Sequence, residues 1–270
     1  MVAPRDRFGR DTPATPLARA SILEAFLKRD RWFVLAGLAG VTALAWAYLV
    51  ALPGDMGGMA MVQVAPWTVL DAALMAVMWA VMMVGMMLPS AAPMILLYAA
   101  VSRKQRGRGR VFAPTGAFAA GYLVAWTLFS LAATALQWAL EQAALLSPTM
   151  VGASAWLGGG LLIAAGVYQW TPLKHACLEN CRSPVAFLSR IWRKGTGGAV
   201  VMGVHHGAYC VGCCWVLMAL LFVGGVMNLL WVAAIAAFVL AEKIVPRGHL
   251  VSRASGALLA LAGVYVLVAG

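Results

Sequence analysis

Residues 66–101 read PWTVLDAALMAVMWAVMMVGMMLPSAAPMILLYAAV, a 36-residue run with one acidic side chain, Asp71, and no basic one. About 20 consecutive apolar residues are enough for a helix to cross the hydrocarbon core of a bilayer, so this run by itself indicates a membrane-spanning chain. Comparable runs recur along all 270 residues, and the whole sequence is 63% hydrophobic with only 11% charged residues. A soluble domain carries about 25% charged residues, and the mean hydropathy of +0.86 points the same way. Soluble enzyme folds are excluded on these grounds. The runs are continuous and do not alternate polar with apolar, which argues against a barrel. The predicted fold class is all-α, a polytopic transmembrane helical bundle.

Working outward from that run, apolar stretches near 32–52, 67–101, 112–140, 152–172, 198–222, 228–245 and 251–269 predict seven spans. The 20 Lys and Arg fall in four groups: up to Arg31, from Arg103 to Arg110, from Lys174 to Lys194, and from Lys243 to Arg253. The intervening loops 53–66, 141–151 and 223–227 contain none. Basic residues are retained on the cytoplasmic side. The pattern therefore predicts a basic cytoplasmic tail, 1–31, followed by a transmembrane domain, 32–270, with the N-terminus inside and the C-terminus outside. A multi-pass protein of a bacterial cytoplasmic (inner) membrane is expected. The net charge of +11 then reflects topology and contact with lipid headgroups, and no nucleic-acid partner is expected. Because 66–101 is longer than one crossing needs and contains Pro89 and Pro93, the second span is expected to be kinked or broken there.

All five cysteines, Cys177, Cys181, Cys210, Cys213 and Cys214, fall on the cytoplasmic half of this topology. That compartment keeps thiols reduced, so metal binding or redox chemistry is the natural reading of them. Residues 203–215 read GVHHGAYCVGCCW. At 100° per residue, taking His206 as zero, Cys210, Cys213 and Cys214 lie within an arc of about 100°, while His205 points elsewhere. Gly203 and Gly207 share that face, where they permit close approach of a neighbouring helix; Gly158, Gly159 and Gly160 mark a second such contact. One buried thiol in an apolar helix is ordinary packing. Histidines beside three thiols at membrane depth are costly and indicate function. The preceding loop, KHACLENCRSP, adds His175, Cys177 and Cys181 on the same side of the membrane.

A second set of soft donors lies in the opening run. Relative to Asp71, Met75, Met78, Met82 and Met86 form a stripe about 80° wide, and ten of the 15 methionines lie between Met56 and Met94. Methionine is a common filler of apolar cores, but thioethers also suit copper(I). Asp55, Met56, Met59 and Met61 extend the set into the outside loop. The candidate metal ligands are therefore His175, Cys177, Cys181, His206, Cys210, Cys213, Cys214, Met75, Met78, Met82, Met86 and Asp71. Glu242 and Lys243, closing the sixth span, read as a helix-end ion pair, with a role behind the metal ligands or in moving a proton as the alternative. No phosphate-cradling glycine loop, Ser-His-Asp set or paired carboxylates is present, so no enzymatic reaction is assigned.

The segments MMLPSAAPM, HACLENC, GAYCVGCCWVLM and AEK together resemble a bacterial family of predicted metal-binding integral membrane proteins, catalogued as a domain of unknown function. The similarity covers nearly all of the chain after the basic tail. It implies a cytoplasmic-membrane location and metal binding. It also marks Cys177, Cys181, Cys210, Cys213, Cys214, Met82, Met83, Met86, Met87 and Glu242 as motif positions.

The expected function is handling or transport of copper(I), or another soft transition metal, through the Met stripe and the Cys/His cluster. The partners expected are the lipid bilayer, the metal ion, and a periplasmic or cytoplasmic metal-carrier protein. Two rivals belong to other classes. A membrane-embedded thiol oxidoreductase is disfavoured because the thiols sit on the reducing side. An accessory subunit with a structural zinc site leaves the methionines unexplained, because thioether is a poor zinc ligand.

Overall fold

The structure, a computed structural model, describes residues 16–56, 67–106, 114–146, 154–246 and 248–269. Met59 and Met61 of the expected outside donors, and the first fifteen residues of the tail, lie outside the described residues. The elements are α1 (Pro16–Met56), α2 (Val69–Arg106), α3 (Thr115–Gln142), α4 (Ala155–Tyr168), α5 (Pro172–Arg182), α6 (Pro184–Ile191), α7 (Gly195–Ala219), α8 (Leu221–Gly224), α9 (Leu229–Ile244) and α10 (Gly248–Ala269). Among the described residues there is no strand, and the fold is an all-α bundle. Helix α1 begins at Pro16, and its apolar stretch begins at Arg31.

Among the described residues, five helical stretches are long and apolar enough to cross a membrane: Arg31–Ala51, Val69–Gln105, Thr115–Gln142, Gly195–Gly224 and Gly248–Ala269. The other two expected spans are short helices, α4 with 14 residues and α9 with 16. At a rise of about 1.5 Å per residue these cover about 21 and 24 Å, less than the roughly 30 Å of a hydrocarbon core.

Of the two outcomes expected at its prolines, a kink or a break, the break does not occur: helix α2 runs on through both. A proline has no N–H for the carbonyl four residues earlier, so Pro89 releases the Gly85 carbonyl. The Trp46 indole of α1 donates to that oxygen at 3.3 Å. A neighbouring helix thus supplies the hydrogen bond that the proline withholds.

Glycines set the tightest helix contacts. A Cβ on Gly121 would lie 2.1 Å from the Val200 carbonyl oxygen, and one on Gly203 would lie 2.0 Å from that of Phe118. Contacts advance together from Phe118–Gly203 to Tyr122–Gly207, so α3 and α7 run parallel. Helices α4 and α10 touch through Gly159–Gly263 and Gly166–Gly256, an antiparallel register. Helix α7 is the centre of the bundle, with Ala199, Met202, His206, Cys210, Cys214 and Leu217 all buried along its length. The outer faces carry exposed Leu44, Leu70, Leu128, Leu258 and Val268, while Lys174, Glu242, Lys243, His206 and Gln137 are buried. Apolar outside and ionisable inside is the arrangement a bilayer demands.

Candidate functional site

The site forms where α5 folds back on α7. Thr171 caps α5 by accepting from the Lys174 amide, and Pro172 occupies the first turn, where its missing N–H costs nothing. Cys177 and Cys181, four residues apart, then share one face of α5. A Cβ on Gly212 would lie 2.8 Å from Cys177 Sγ, so the absence of a side chain there admits that thiol against α7. The Cys181 thiol is within hydrogen-bonding reach of the Cys210 and Cys213 thiols. Cys210, Cys213 and Cys214 are all buried, and no disulfide joins any of the five. Tyr168 donates to the Gly212 carbonyl and interacts with Cys177, Cys213 and Cys214. Burial, and then Cys213, push the Cys177 thiol up from its ordinary range. Hydrogen bonds to Cys210 and Cys213, with burial added, hold the Cys181 thiol well above that range.

Cys210 is the hub. Its sulfur lies 3.0 Å from Lys243 Nζ and 3.2 Å from the Tyr122 hydroxyl. Lys243 also donates to Ser90 Oγ at 2.8 Å, and Tyr122 donates to the Met87 carbonyl at 3.0 Å. The thiols of Cys213 and Cys214 donate to the Cys210 carbonyl at 3.1 and 2.9 Å. With those two thiols turned onto the backbone, no group of three His, Cys, Asp or Glu side chains among the described residues is arranged to hold a metal ion. The donor chemistry nevertheless suits a soft ion: thiols, with thioethers on the adjoining helix.

His206 is buried next to this hub. Its ring stacks on Tyr122 and Phe118, with centroids 5.6 and 6.1 Å away, and meets the edge of Phe187 at 5.4 Å. Its Nδ1 is buried without a hydrogen-bond partner among the described residues. His175 lies apart from the thiols. It faces Arg253, Lys174 and His249, and burial followed by Arg253 lowers its pKa. Asp71 accepts from the Thr68 amide and hydroxyl at 2.8 and 2.7 Å, while its own amide donates to the Thr68 hydroxyl. It closes the N-terminus of α2 as a capping box does.

Of the stripe, Met78, Met82 and Met86 are fully buried, as are Met83 and Met87. Met75, at the other end of the stripe, accepts from the Gln137 amide at 3.8 Å. Gln137 in turn binds Trp79 and Glu141, and Glu141 binds Trp67. The stripe therefore joins a polar cluster near the start of α2 to Ser90, which touches Lys243.

The expected Glu242–Lys243 pair does not form. Both oxygens of Glu242 are held by Lys174 at 3.0 and 2.9 Å, and Ser252 donates to it at 2.8 Å. Successive helical residues point about 100° apart, so Lys243 turns to Cys210 instead. Tyr122 and Ser90 are site residues that the sequence reading missed, whereas it singled out Lys243 but gave it first to Glu242. The signal for Lys243 was a lysine inside an apolar span, whereas Tyr122 and Ser90 look like ordinary packing.

A family model described as a copper chaperone (PpoB2) matches residues 76–266, about seven tenths of the chain. The match contains all five cysteines and the stripe from Met78 onward, and it begins just after Met75. No curated protein and no solved structure matches the chain.

Proposed function

The chain belongs to this copper chaperone family, and on that premise we propose that it carries copper(I) as cargo within a membrane, held by thiols of α5 and α7. The observation that supports the reading is the approach of Cys177 and Cys181 to Cys210, Cys213 and Cys214 inside the bundle. Loading exchanges the hydrogen bonds of Cys213 and Cys214 to the Cys210 carbonyl for bonds to the ion. Met75, Met78, Met82 and Met86 provide weaker thioether donors leading to the thiols, a distance of about 16 Å along α2 at its helical rise. Neutral thioethers release the ion readily, while thiolates bring charge and retain it. His206, beside Cys210, is a further candidate donor. Carrier proteins on the periplasmic or cytoplasmic face would deliver or receive the ion.

The test is the copper content of the purified full-length protein, loaded under reducing conditions. The Cys210→Ser/Cys213→Ser/Cys214→Ser variant is expected to lose most of it. Equal copper in both preparations would end the reading.

A further inference from the structure

We propose that Lys243 determines specificity: its positive charge against Cys210 makes the thiol cluster accept a monovalent soft cation in preference to a divalent one. The inference rests on the copper(I) reading above and adds to it the reason for one charge state.

Lys243 is buried, and its ammonium contacts Cys210 Sγ at 3.0 Å and Ser90 Oγ at 2.8 Å. The carboxylate next to it in sequence is not its counter-ion, because Glu242 is engaged through both oxygens by Lys174. The groups that act on Lys243 are Cys210, Cys213, Cys181 and Tyr122, three thiols and a phenol. Of the two side chains that Lys243 touches, Ser90 and Cys210, the sulfur is the one able to carry its countercharge. Net charge at membrane depth is expensive, and this sets a simple balance. One ammonium, two thiolates and one monovalent ion sum to zero; the second thiol's proton leaves as the ion enters. With a divalent ion the same ammonium and two thiolates carry one excess positive charge, and neutrality then demands a third thiolate, whose proton must also leave a buried thiol. Sulfur ligands alone do not make this choice, since divalent soft ions also bind thiolates well.

Silver(I) and cadmium(II) separate charge from softness, because both are soft and they differ by one unit of charge. Purified full-length protein in detergent is titrated with each, and the ratio of affinities is compared among variants. Lys243→Gln is expected to shift the ratio towards cadmium by about tenfold or more, given the strength of a unit charge at this range. Lys243→Arg, which keeps the charge, is expected to stay within about threefold of the parent on the same grounds. Ser90→Asp sets a carboxylate against the ammonium without removing it, and is expected to reproduce the shift even if Lys243→Gln does not fold. An unchanged ratio in a folded Lys243→Gln or Ser90→Asp protein overturns the proposal. So does Lys243→Arg behaving like Lys243→Gln. Either result leaves the copper reading standing if the parent protein still binds copper(I). A parent protein that binds no copper(I) overturns both.

Discussion

Glu242 and Lys174 form the ion pair on which the packing of α5 against α9 depends, and both side chains are essentially excluded from solvent. Removing one partner of such a pair leaves the other charge buried and uncompensated. Glu242→Gln is therefore expected to cost about 3–5 kcal/mol, read as a fall in the melting temperature of the detergent-solubilised protein. Lys174→Met/Glu242→Leu, which removes both charges, should recover most of that loss. His175 makes a pH-dependent contribution. Burial first, and Arg253 next, lower its pKa in the folded protein, so the native state disfavours the imidazolium relative to the unfolded chain. The stability it contributes is complete above the unfolded value near ~6.5 and is lost as the pH falls below it. His175→Gln should flatten the slope of melting temperature against pH on that acidic side; an unchanged slope would refute the assignment. At this scale the sequence revealed donor types more readily than partners. The cysteines announce themselves by chemistry, but the choice of Lys174 over Lys243 as partner of Glu242 depends on where α5 lies, which no local pattern encodes.

Between elements, the glycines of α3 and α7 decide how near Tyr122 comes to Cys210. Gly203→Ala forces a Cβ onto the Phe118 carbonyl, a backbone atom that cannot swing aside. It should cost about 1–3 kcal/mol, and by parting Tyr122 from Cys210 it should lower copper retention as well. Gly197, in the first turn of the same helix, has nothing within 4 Å of its would-be Cβ. Gly197→Ala should therefore be neutral or stabilise by up to about 1 kcal/mol. Equal losses from the two variants would show that helix propensity, not close approach, governs α7. The spacing of Gly203 and Gly207 made this contact legible in advance. The continuity of α2 and the fold of 172–191 were less so. Proline chemistry read along one chain predicts a kink or a break, and Trp46 arriving from α1 gives the Gly85 carbonyl the partner that Pro89 withholds. The charged composition of 174–194 reads as a loop, yet Thr171 with Pro172, and Ser183 followed by Pro184, start two short helices there.

Across the whole molecule, the number of membrane crossings follows from helix directions more firmly than from helix lengths. Helices α3 and α7 run parallel, as the advance from Phe118–Gly203 to Tyr122–Gly207 requires. If α3 carries the chain across the membrane, the chain must return before α7 begins. Helix α4 is the apolar helix available for that return, despite its 14 residues. Its antiparallel contact with α10, through Gly159–Gly263 and Gly166–Gly256, sets α10 in the same direction as α3 and α7. A second return must then lie between α7 and α10, which assigns a crossing to α9. On that premise we expect seven crossings, which bring the basic segments 174–194 and 243–253 to the same side as the basic residues up to Arg31 and those from Arg103 to Arg110, in keeping with retention of Lys and Arg on the cytoplasmic face. Among the described residues apolar length alone finds five candidates, because α4 and α9, at 14 and 16 residues, are shorter than a bilayer is thick. A fluorescent reporter that matures only in the cytoplasm, fused after Ile191 or after Pro246, is expected to be bright. Fused after Leu146 or after Val226, it should be dark. A dark fusion after Ile191 would mean that α4 lies along the surface, and it would put α5, Cys177 and Cys181 on the oxidising side. The thiols would then be exposed to disulfide formation, and the cytoplasmic reading of the copper-handling cluster would fall with the topology.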